Sequence, residues 1–175
     1  NDELHRKLNE VFPTNYSEEN VNTYMKNIEC LYSFSQVNET IDFSTAISFI
    51  ASHFYMVDIE TFLKASREIQ YKIISHDELQ IESEDSLFDI ISQIIENKKK
   101  DDDEIEDILF LEQIEFIGLS EVKFREFISV FDFNEMSGQL WQNLCQCFFL
   151  NTDNNFQRKS NNHHRHHKRR ECSLQ

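Results

Sequence analysis

Two histidines are the first residues of this chain whose type and setting could support chemistry. His53 lies beside phenylalanines, where an imidazole could bind a metal or accept a proton, and His76 stands with Asp77 and Glu78 in an acid–base cluster. A single histidine on an apolar helix face is usually a hydrogen-bonded core or boundary residue. A short polar cluster is usually a turn whose side chains bond nearby backbone groups. We therefore expect structural roles for both.

The cysteines provide a second candidate site. Cys145 and Cys147 could bind a soft metal, but residues i and i+2 of a helix point about 200° apart and cannot readily ligate one ion. The four cysteines have neither disulfide-scaffold nor zinc-finger spacing, so we expect Cys30 and Cys145 to be reduced core residues. Reduced thiols indicate an intracellular protein, which we expect in the cytoplasm. Because the sequence has no Gly-rich phosphate loop, nucleophile motif or HExxH, it predicts neither an enzyme nor a cofactor.

The C-terminal segment, residues 151–175, is basic and of low complexity. It holds 6 Lys and Arg, 2 acids and 4 of the 7 His, and we predict that it is disordered. Its basic patch fits a nuclear-import signal, a weak metal tract or low-complexity drift, and the sequence leaves these alternatives open. The patch consists of Arg165, Lys168, Arg169 and Arg170.

The last four residues, from Cys172 to Gln175, fit the prenylation pattern, although Ser173 stands where an aliphatic residue is usual. A lipid chain together with a basic run is the usual two-signal membrane anchor. An alternative function follows, that of a peripheral membrane protein anchored by a prenylated basic tail.

Composition indicates which elements position these residues. Two Gly and one Pro in 175 residues are few for the turns of a β-sandwich or barrel, so the composition predicts an all-α fold with short loops. Residues 1–150 hold 11 Lys and Arg against 30 Asp and Glu, a net charge of −19. Such an acidic body repels nucleic acid and anionic membranes, so only the tail could attract either.

The clearest helices lie in residues 66–95, as a short helix, a tight acidic turn at 75–79 and a longer helix. Ser83 is placed to cap the longer helix, and Glu84 and Asp85 fall in its first turn, where the helix dipole favours negative charge. The predicted inward stripe recurs at the helical period. It consists of Leu87, Phe88, Ile91, Ile94 and Ile95.

Apolar periodicity predicts the remaining helices. They span residues 19–34, 43–55, about 58–64, 104–113 and 120–131, with a last helix capped by Asn134; the charge block at 98–104 closes one helix and opens the next. The predicted inward residues are Val21, Tyr24, Met25, Ile28, Leu31, Tyr32, Phe43, Ala46, Ile47, Ile50, Phe54, Ile59, Phe62, Leu63, Ile105, Ile108, Leu109, Leu140, Trp141, Leu144 and Phe148.

Residues 47–95 resemble the start of the BACK domain, the helical module that follows BTB domains in Kelch-type adaptor proteins. The resemblance rests on Phe49-Ile50-x-x-His53-Phe54, on Phe62-Leu63, and on the stretch from Ile73 to Phe88. A later pair, Leu119-Ser120, is similar to the start of the family's next helix, and residues 17–34 resemble the final helix of a BTB domain.

The resemblance implies an antiparallel bundle of stacked helix pairs. Residues 1–16 would be a partly ordered segment, 17–40 a BTB-like helix and linker, 41–150 the BACK-like domain and 151–175 the tail.

The resemblance also implies a function, that of a non-catalytic interaction module, part of a substrate adaptor for a cullin ubiquitin ligase. In the family, the BTB domain and the first BACK helices dock the cullin. Partner contact would then fall on residues 43–64, at solvent-facing positions such as Ser52 and Lys64. Because the sequence lacks the BTB core, we expect a monomer that binds a cullin weakly or not at all.

Overall fold

The computed structural model of this protein describes residues 16–37, 42–97 and 105–153. Within these ranges there are eight α-helices and four 3₁₀ turns but no strand, which confirms the predicted all-α fold. The helices are α1 (Val21–Val37), α2 (Phe43–Ser52), α3 (Ile59–Leu63), α4 (Arg67–Ile74), α5 (Glu84–Glu96), α6 (Asp107–Leu111), α7 (Glu121–Val130) and α8 (Gly138–Asp153). The 3₁₀ turns are Glu18–Asn20, Phe54–Met56, Phe116–Gly118 and Phe133–Glu135.

The described chain forms two compact units that divide between Gln80 and Ile81. The first unit contains α1 to α4, and the second contains α5 to α8. The charge block at 98–104 lies outside the described residues, and so do residues 1–15 of the segment predicted over 1–16 and residues 154–175 of the tail predicted over 151–175. Residues 151–153 differ from the predicted disorder, because they form the end of α8.

In the first unit, α1 packs against α2 and α3, and α2 packs against α4. The predicted inward face of α1 is confirmed, except that Tyr32 is only half-buried. On α2, Phe43 is half-buried, and Phe49 joins the predicted core residues. Beyond α2, Phe54 packs edge-on against Phe62, with ring centroids 4.9 Å apart. The residues buried on α1 and α2 are Val21, Tyr24, Met25, Ile28, Leu31, Ala46, Ile47, Phe49, Ile50 and Ala51.

The predicted helix over residues 43–55 is shorter than expected, because α2 ends at Ser52. If it continued, the Tyr55 N–H would donate to the Ala51 carbonyl. Instead the Gln80 N–H donates to the Ala51 oxygen at 2.9 Å, and the Tyr55 N–H donates to the Gln80 oxygen at 3.1 Å. The backbone of Gln80 therefore replaces the next helical hydrogen bond, and the chain turns at His53 into the 3₁₀ turn Phe54–Met56.

In the second unit, α5 supplies much of the core and begins as predicted. The Ser86 N–H donates to the Ser83 hydroxyl oxygen at 3.1 Å, which confirms the cap. Of the predicted stripe only Ile95 is half-buried, while Ile90 is buried in addition. Helix α5 packs against α6 and against the 3₁₀ turn Phe116–Gly118. Its fully or nearly buried residues are Leu87, Phe88, Ile91 and Ile94.

The two acids of the first turn of α5 also bind a distant loop. The Glu115 N–H donates to Oε2 of Glu84 at 3.1 Å, and the Ser120 N–H donates to Oδ1 of Asp85 at 2.7 Å. Glu84 is buried, with 8% of its surface exposed. The predicted dipole pairing is therefore accompanied by two contacts that hold the chain leading into α7.

The start of α8 differs from the prediction. Asn134 does not cap it, because this residue lies in the 3₁₀ turn Phe133–Glu135, where its N–H donates to Oδ1 of Asp132 at 2.9 Å. The cap is Ser137, whose hydroxyl accepts the Leu140 N–H at 3.0 Å. The Ser137 hydroxyl also donates to Oε1 of Glu112 at 2.5 Å, so the capping residue of α8 is bound to the end of α6.

Two predicted inward residues of α8 are exposed. Trp141 and Phe148 keep 56% and 54% of their surface in solvent, whereas Leu140 and Leu144 are buried as predicted. The core side of the helix is rotated toward Cys147, which is also buried. The predicted inward residues of α6 are also corrected, because Phe110, which was not among them, is the buried residue of that helix. Ile105, Ile108 and Leu109 are half-buried.

Candidate protein-interaction surface

The turn Phe54–Met56 presents two large apolar side chains to solvent. Tyr55 is 43% exposed and Met56 is 38% exposed. They lie in a stretch of 15 residues, Phe43 to Val57, that contains no Asp, Glu, Lys or Arg. In a chain with a net charge of −15, this is an uncharged and partly apolar surface. The sequence did not single out these two side chains, because its apolar pattern places Tyr55 at the end of a helix and Met56 between two helices.

The turn is held from two directions. On one side, Gln80 exchanges backbone hydrogen bonds with Ala51 and Tyr55. On the other, the side chain of Asn22 on α1 donates to the Met56 carbonyl at 3.1 Å and accepts the Asp58 N–H at 2.7 Å. Asn22, which lies 34 and 36 positions before the two residues it bonds, therefore holds the turn in place before any partner binds.

A series of rings connects this turn to the start of α1. Tyr16 stacks on Tyr24 at 4.8 Å between centroids, Tyr24 meets Phe49 edge-on at 5.4 Å, and Phe49 contacts His53 at 4.8 Å. His53 lies 6.4 Å from Tyr55. Burial raises the pKa of both Tyr16 and Tyr24, and Asp42 raises that of Tyr16 further. The phenols therefore stay neutral at pH 7, and the surface carries no charge from them.

A groove of about 370 Å³ opens on the same unit, between α2 and the end of α4. It is lined by Phe43, Ser44, Ile47, Lys72, Ser75, His76 and Asp77. Lys72 pairs with Glu68 at 3.4 Å along α4. The groove is therefore mixed, with Phe43 and Ile47 on one side and the charged residues Lys72 and Asp77 on the other.

The two residues predicted for partner contact have different settings. Lys64 is exposed just after α3. Ser52 is half-buried, and its hydroxyl lies 3.0 Å from both the Phe49 carbonyl oxygen and Nδ1 of His53. The structure therefore leaves Lys64 open to a partner and binds the Ser52 hydroxyl within its own helix.

Both histidines have the structural roles that the sequence predicts. Nδ1 of His53 lies 2.9 Å from the Phe49 carbonyl oxygen, so the imidazole is hydrogen-bonded at the end of α2. Nδ1 of His76 accepts the Glu78 N–H at 3.1 Å, and the Glu78 carboxylate in turn accepts a hydrogen bond from Ser48. The acid–base cluster is a hydrogen-bonded turn that ties α2 to the chain after α4.

The cysteines differ from the prediction. Cys30 is exposed, because it lies on the face of α1 away from the buried stripe, and Cys145 is half-buried. Cys147 is the buried one, and its thiol donates to the Phe116 carbonyl at 3.7 Å. Within the described residues no group of three or more His, Cys, Asp or Glu is placed to hold a metal ion.

The tail sites cannot be placed in the same way. Arg165, Lys168, Arg169, Arg170 and Cys172 lie outside the described residues, so the basic patch and the lipidation site remain predictions. Among the helices that the structure describes, none is long and apolar enough to cross a bilayer.

Comparison with known proteins gives one match. The family model for BACK, BTB And C-terminal Kelch, matches residues 30–129, which is more than half of the chain. The match begins in α1, includes the turn Phe54–Met56 and the groove, and ends within α7. No curated protein and no solved structure matches the chain.

Proposed function

Because the chain belongs to the BACK (BTB and C-terminal Kelch) family, we propose that it is a non-catalytic protein–protein interaction module of an adaptor. Its docking surface is the exposed side of the turn Phe54–Met56 together with the neighbouring end of α1 around Asn22. The next candidates for contact are the exposed Lys64, just after α3, and the half-buried Ser52 at the end of α2. The partner that the resemblance implies is a cullin, the scaffold of a ubiquitin ligase.

The exposed pair Tyr55 and Met56 is the observation that supports this surface most directly. Aromatic residues and Met are enriched at the cores of protein interfaces, where charged residues are depleted. Both residues are exposed in an uncharged stretch. Their backbone is already fixed by Asn22 and Gln80, so a partner need not order the turn when it binds. Preorganisation of this kind lowers the entropic cost of association.

Chain position also supports the surface. The turn joins α2 to α3, and α1 packs on both of these helices. In the family the BTB domain and the first BACK helices dock the cullin together, and most of α1 lies in residues 17–34, which resemble the final helix of a BTB domain. Asn22 is thus a direct link between the two parts that would form the docking site.

The proposal can be tested by calorimetry with the amino-terminal domain of a cullin. We expect weak binding, because the BTB core that supplies part of the family's docking surface is not in this sequence. Tyr55→Ala and Met56→Ala should weaken binding further, and so should Lys64→Glu and the bulky change Ser52→Arg. Val122→Ala is the matched control, because Val122 is an apolar residue that is 73% exposed in the second unit.

Three outcomes would count against the proposal in different ways. Submicromolar affinity for this chain alone would contradict the expected need for a BTB domain. Equal losses for Tyr55→Ala and Val122→Ala would contradict the location of the surface. No binding when a BTB domain is joined upstream would remove the cullin as partner and leave an adaptor for another protein.

A further inference from the structure

Helix α8 carries an exposed aromatic stripe that the proposed docking surface does not include. Trp141 and Phe148 are 56% and 54% exposed. They are seven positions apart, which is about two helical turns, so they lie on one face of the helix, about 10 Å apart along its axis. Cys145 is half-buried and lies between them on that face. The adjoining face of α8 packs on the core, with Leu140, Leu144 and Cys147 buried.

The stripe is attached to the core through aromatic contacts. The ring of Phe148 meets that of Phe124 on α7 edge-on, with centroids 6.2 Å apart. Phe124 meets the buried Phe116 in the same geometry at 6.2 Å. Helix α7 extends the apolar surface with Ile128, one turn after Phe124 and 39% exposed. The ring of Phe148 is therefore held in place by the core.

The charge distribution limits what can approach this stripe. The 17 residues from Met136 to Thr152 contain no Asp, Glu, Lys or Arg, although the whole chain has a net charge of −15. Two copies of such a chain repel each other through most of their surface. At α8 they can approach without placing like charges together, and an uncharged aromatic face has the composition of an interface core.

We infer that α8 is a self-association face, at which two copies of this chain pair with antiparallel α8 helices. The midpoint of Trp141 and Phe148 falls between Leu144 and Cys145. A twofold axis at that point places Trp141 of one copy against Phe148 of the other, and Phe148 against Trp141. The stripe is thus complementary to itself, as an isologous interface requires. Antiparallel pairing also places the opposite ends of the two helix dipoles side by side.

The size of the face predicts weak association. A pair of single helices buries less area than a standard stable interface. The chain is therefore a monomer when dilute and forms dimers as its concentration rises. The monomer predicted from the sequence is the dilute state of this equilibrium.

The chain's single Trp allows the test to be read at the stripe itself. We expect the weight-average mass of the full chain in sedimentation experiments to rise from 21.0 kDa toward twice that value as concentration increases. Over the same range the Trp141 fluorescence should shift to shorter wavelength as its indole leaves water.

A charge placed in the stripe should abolish both changes. Trp141→Glu should remain a monomer at all concentrations, and Phe148→Glu should weaken association by roughly tenfold or more, as loss of a central aromatic commonly does. Val130→Glu is the matched control, because Val130 is an apolar residue of α7 that is 75% exposed but lies outside the stripe. Circular dichroism checks that the variants keep their helices.

Cross-linking tests the antiparallel geometry. In a chain with Cys30→Ser and Cys172→Ser, mild oxidation by copper phenanthroline should join two copies through Cys145, and Cys145→Ser should prevent it. A wild-type chain that stays at 21.0 kDa at high concentration would overturn the inference. So would equal association of Trp141→Glu and Val130→Glu, or a dimer that Cys145 cannot cross-link.

Discussion

At the scale of single residues, many polar side chains of this protein form hydrogen bonds with backbone groups of other segments. Asn22 holds the turn Phe54–Met56 through two such bonds, and Glu84 and Asp85 hold the chain before α7 through one each. His53 and His76 are likewise bonded to nearby groups. The two histidines look like candidates for catalysis or metal binding in the sequence, but in the structure they, like Asn22, Glu84 and Asp85, form hydrogen bonds that hold the chain in place.

The two glycines of the chain provide a residue-scale prediction. A Cβ on Gly118 would overlap Cγ of Glu84 and lie 3.3 Å from its Cβ, whereas a Cβ on Gly138 would meet nothing within 4 Å. Gly118→Ala should therefore destabilise the protein by about 1–3 kcal/mol, the usual cost of overpacking. Gly138→Ala should be neutral or stabilise by up to about 1 kcal/mol, because it reduces the freedom of the unfolded chain.

Chemical denaturation followed by circular dichroism measures both variants. The comparison is informative because the same atom is added in both cases. Equal midpoints for the two variants would show that Glu84 moves away without cost, and that its bond to Glu115 does not constrain the turn.

At the scale of elements, helix starts are the most regular feature. Ser66, Ser83 and Ser120 cap α4, α5 and α7 through their hydroxyl oxygens. Asp42 and Asp58 cap α2 and α3, and each accepts a hydrogen bond from the backbone and the hydroxyl of the threonine three residues later. The two aspartate caps make the stability of the first unit depend on pH.

The pH dependence of the α3 cap can be predicted in sign. The Thr61 hydroxyl bond is the main cause that lowers the pKa of Asp58 below its ordinary value. A lowered folded-state pKa means that the contribution is present above the unfolded pKa, about 4, and is lost as pH falls through the folded pKa. Asp58→Asn keeps a capping oxygen but cannot titrate. As the pH is lowered, the denaturant midpoint of this variant should therefore decrease less than that of the wild type.

The measurement is a series of denaturant midpoints from neutral pH to about pH 2, below the ordinary aspartate pKa. Asp77→Asn is the control, because Asp77 is an exposed aspartate in a turn and caps no helix. If Asp58→Asn and Asp77→Asn changed the pH profile equally, the cap would not be the origin of the effect.

At the scale of the whole molecule, charge separates the body from the tail. Residues 1–150 have a net charge of −19, and residues 151–175 have a net charge of +4. Long-range attraction to an anionic surface can therefore come only from the tail. The two uncharged stretches, Phe43 to Val57 and Met136 to Thr152, are where we place the docking surface and the self-association face.

This separation predicts how the full chain behaves with anionic vesicles. Any binding should be weak, should decrease with salt, and should disappear when Arg165, Lys168, Arg169 and Arg170 are all replaced by alanine, because the remaining charge is repulsive. Replacing Lys64 and Lys72 by alanine is the control and should have little effect. Vesicle flotation measures this, and binding by the four-alanine variant at the wild-type level would refute it.

The sequence by itself determined the all-α fold, the inward faces of α1 and α5 and the cap at Ser83. Each of these depends on residues within one or two turns of each other, so the helical period and the cap position are sufficient to identify them. The resemblance to the BACK domain also came from short motifs, and the family match over residues 30–129 confirms it.

Only the tertiary structure decided the features that carry the proposed functions. Helix α2 ends at Ser52 because Gln80 takes its next hydrogen bond, and the turn that exposes Tyr55 and Met56 is held by Asn22. Trp141 and Phe148 follow the apolar period of α8, but the core accommodates only the adjoining face with Leu140, Leu144 and Cys147. In each case the residues that decide the structure lie on another segment of the chain. The apolar pattern within one helix does not show which of its apolar residues the rest of the chain will cover.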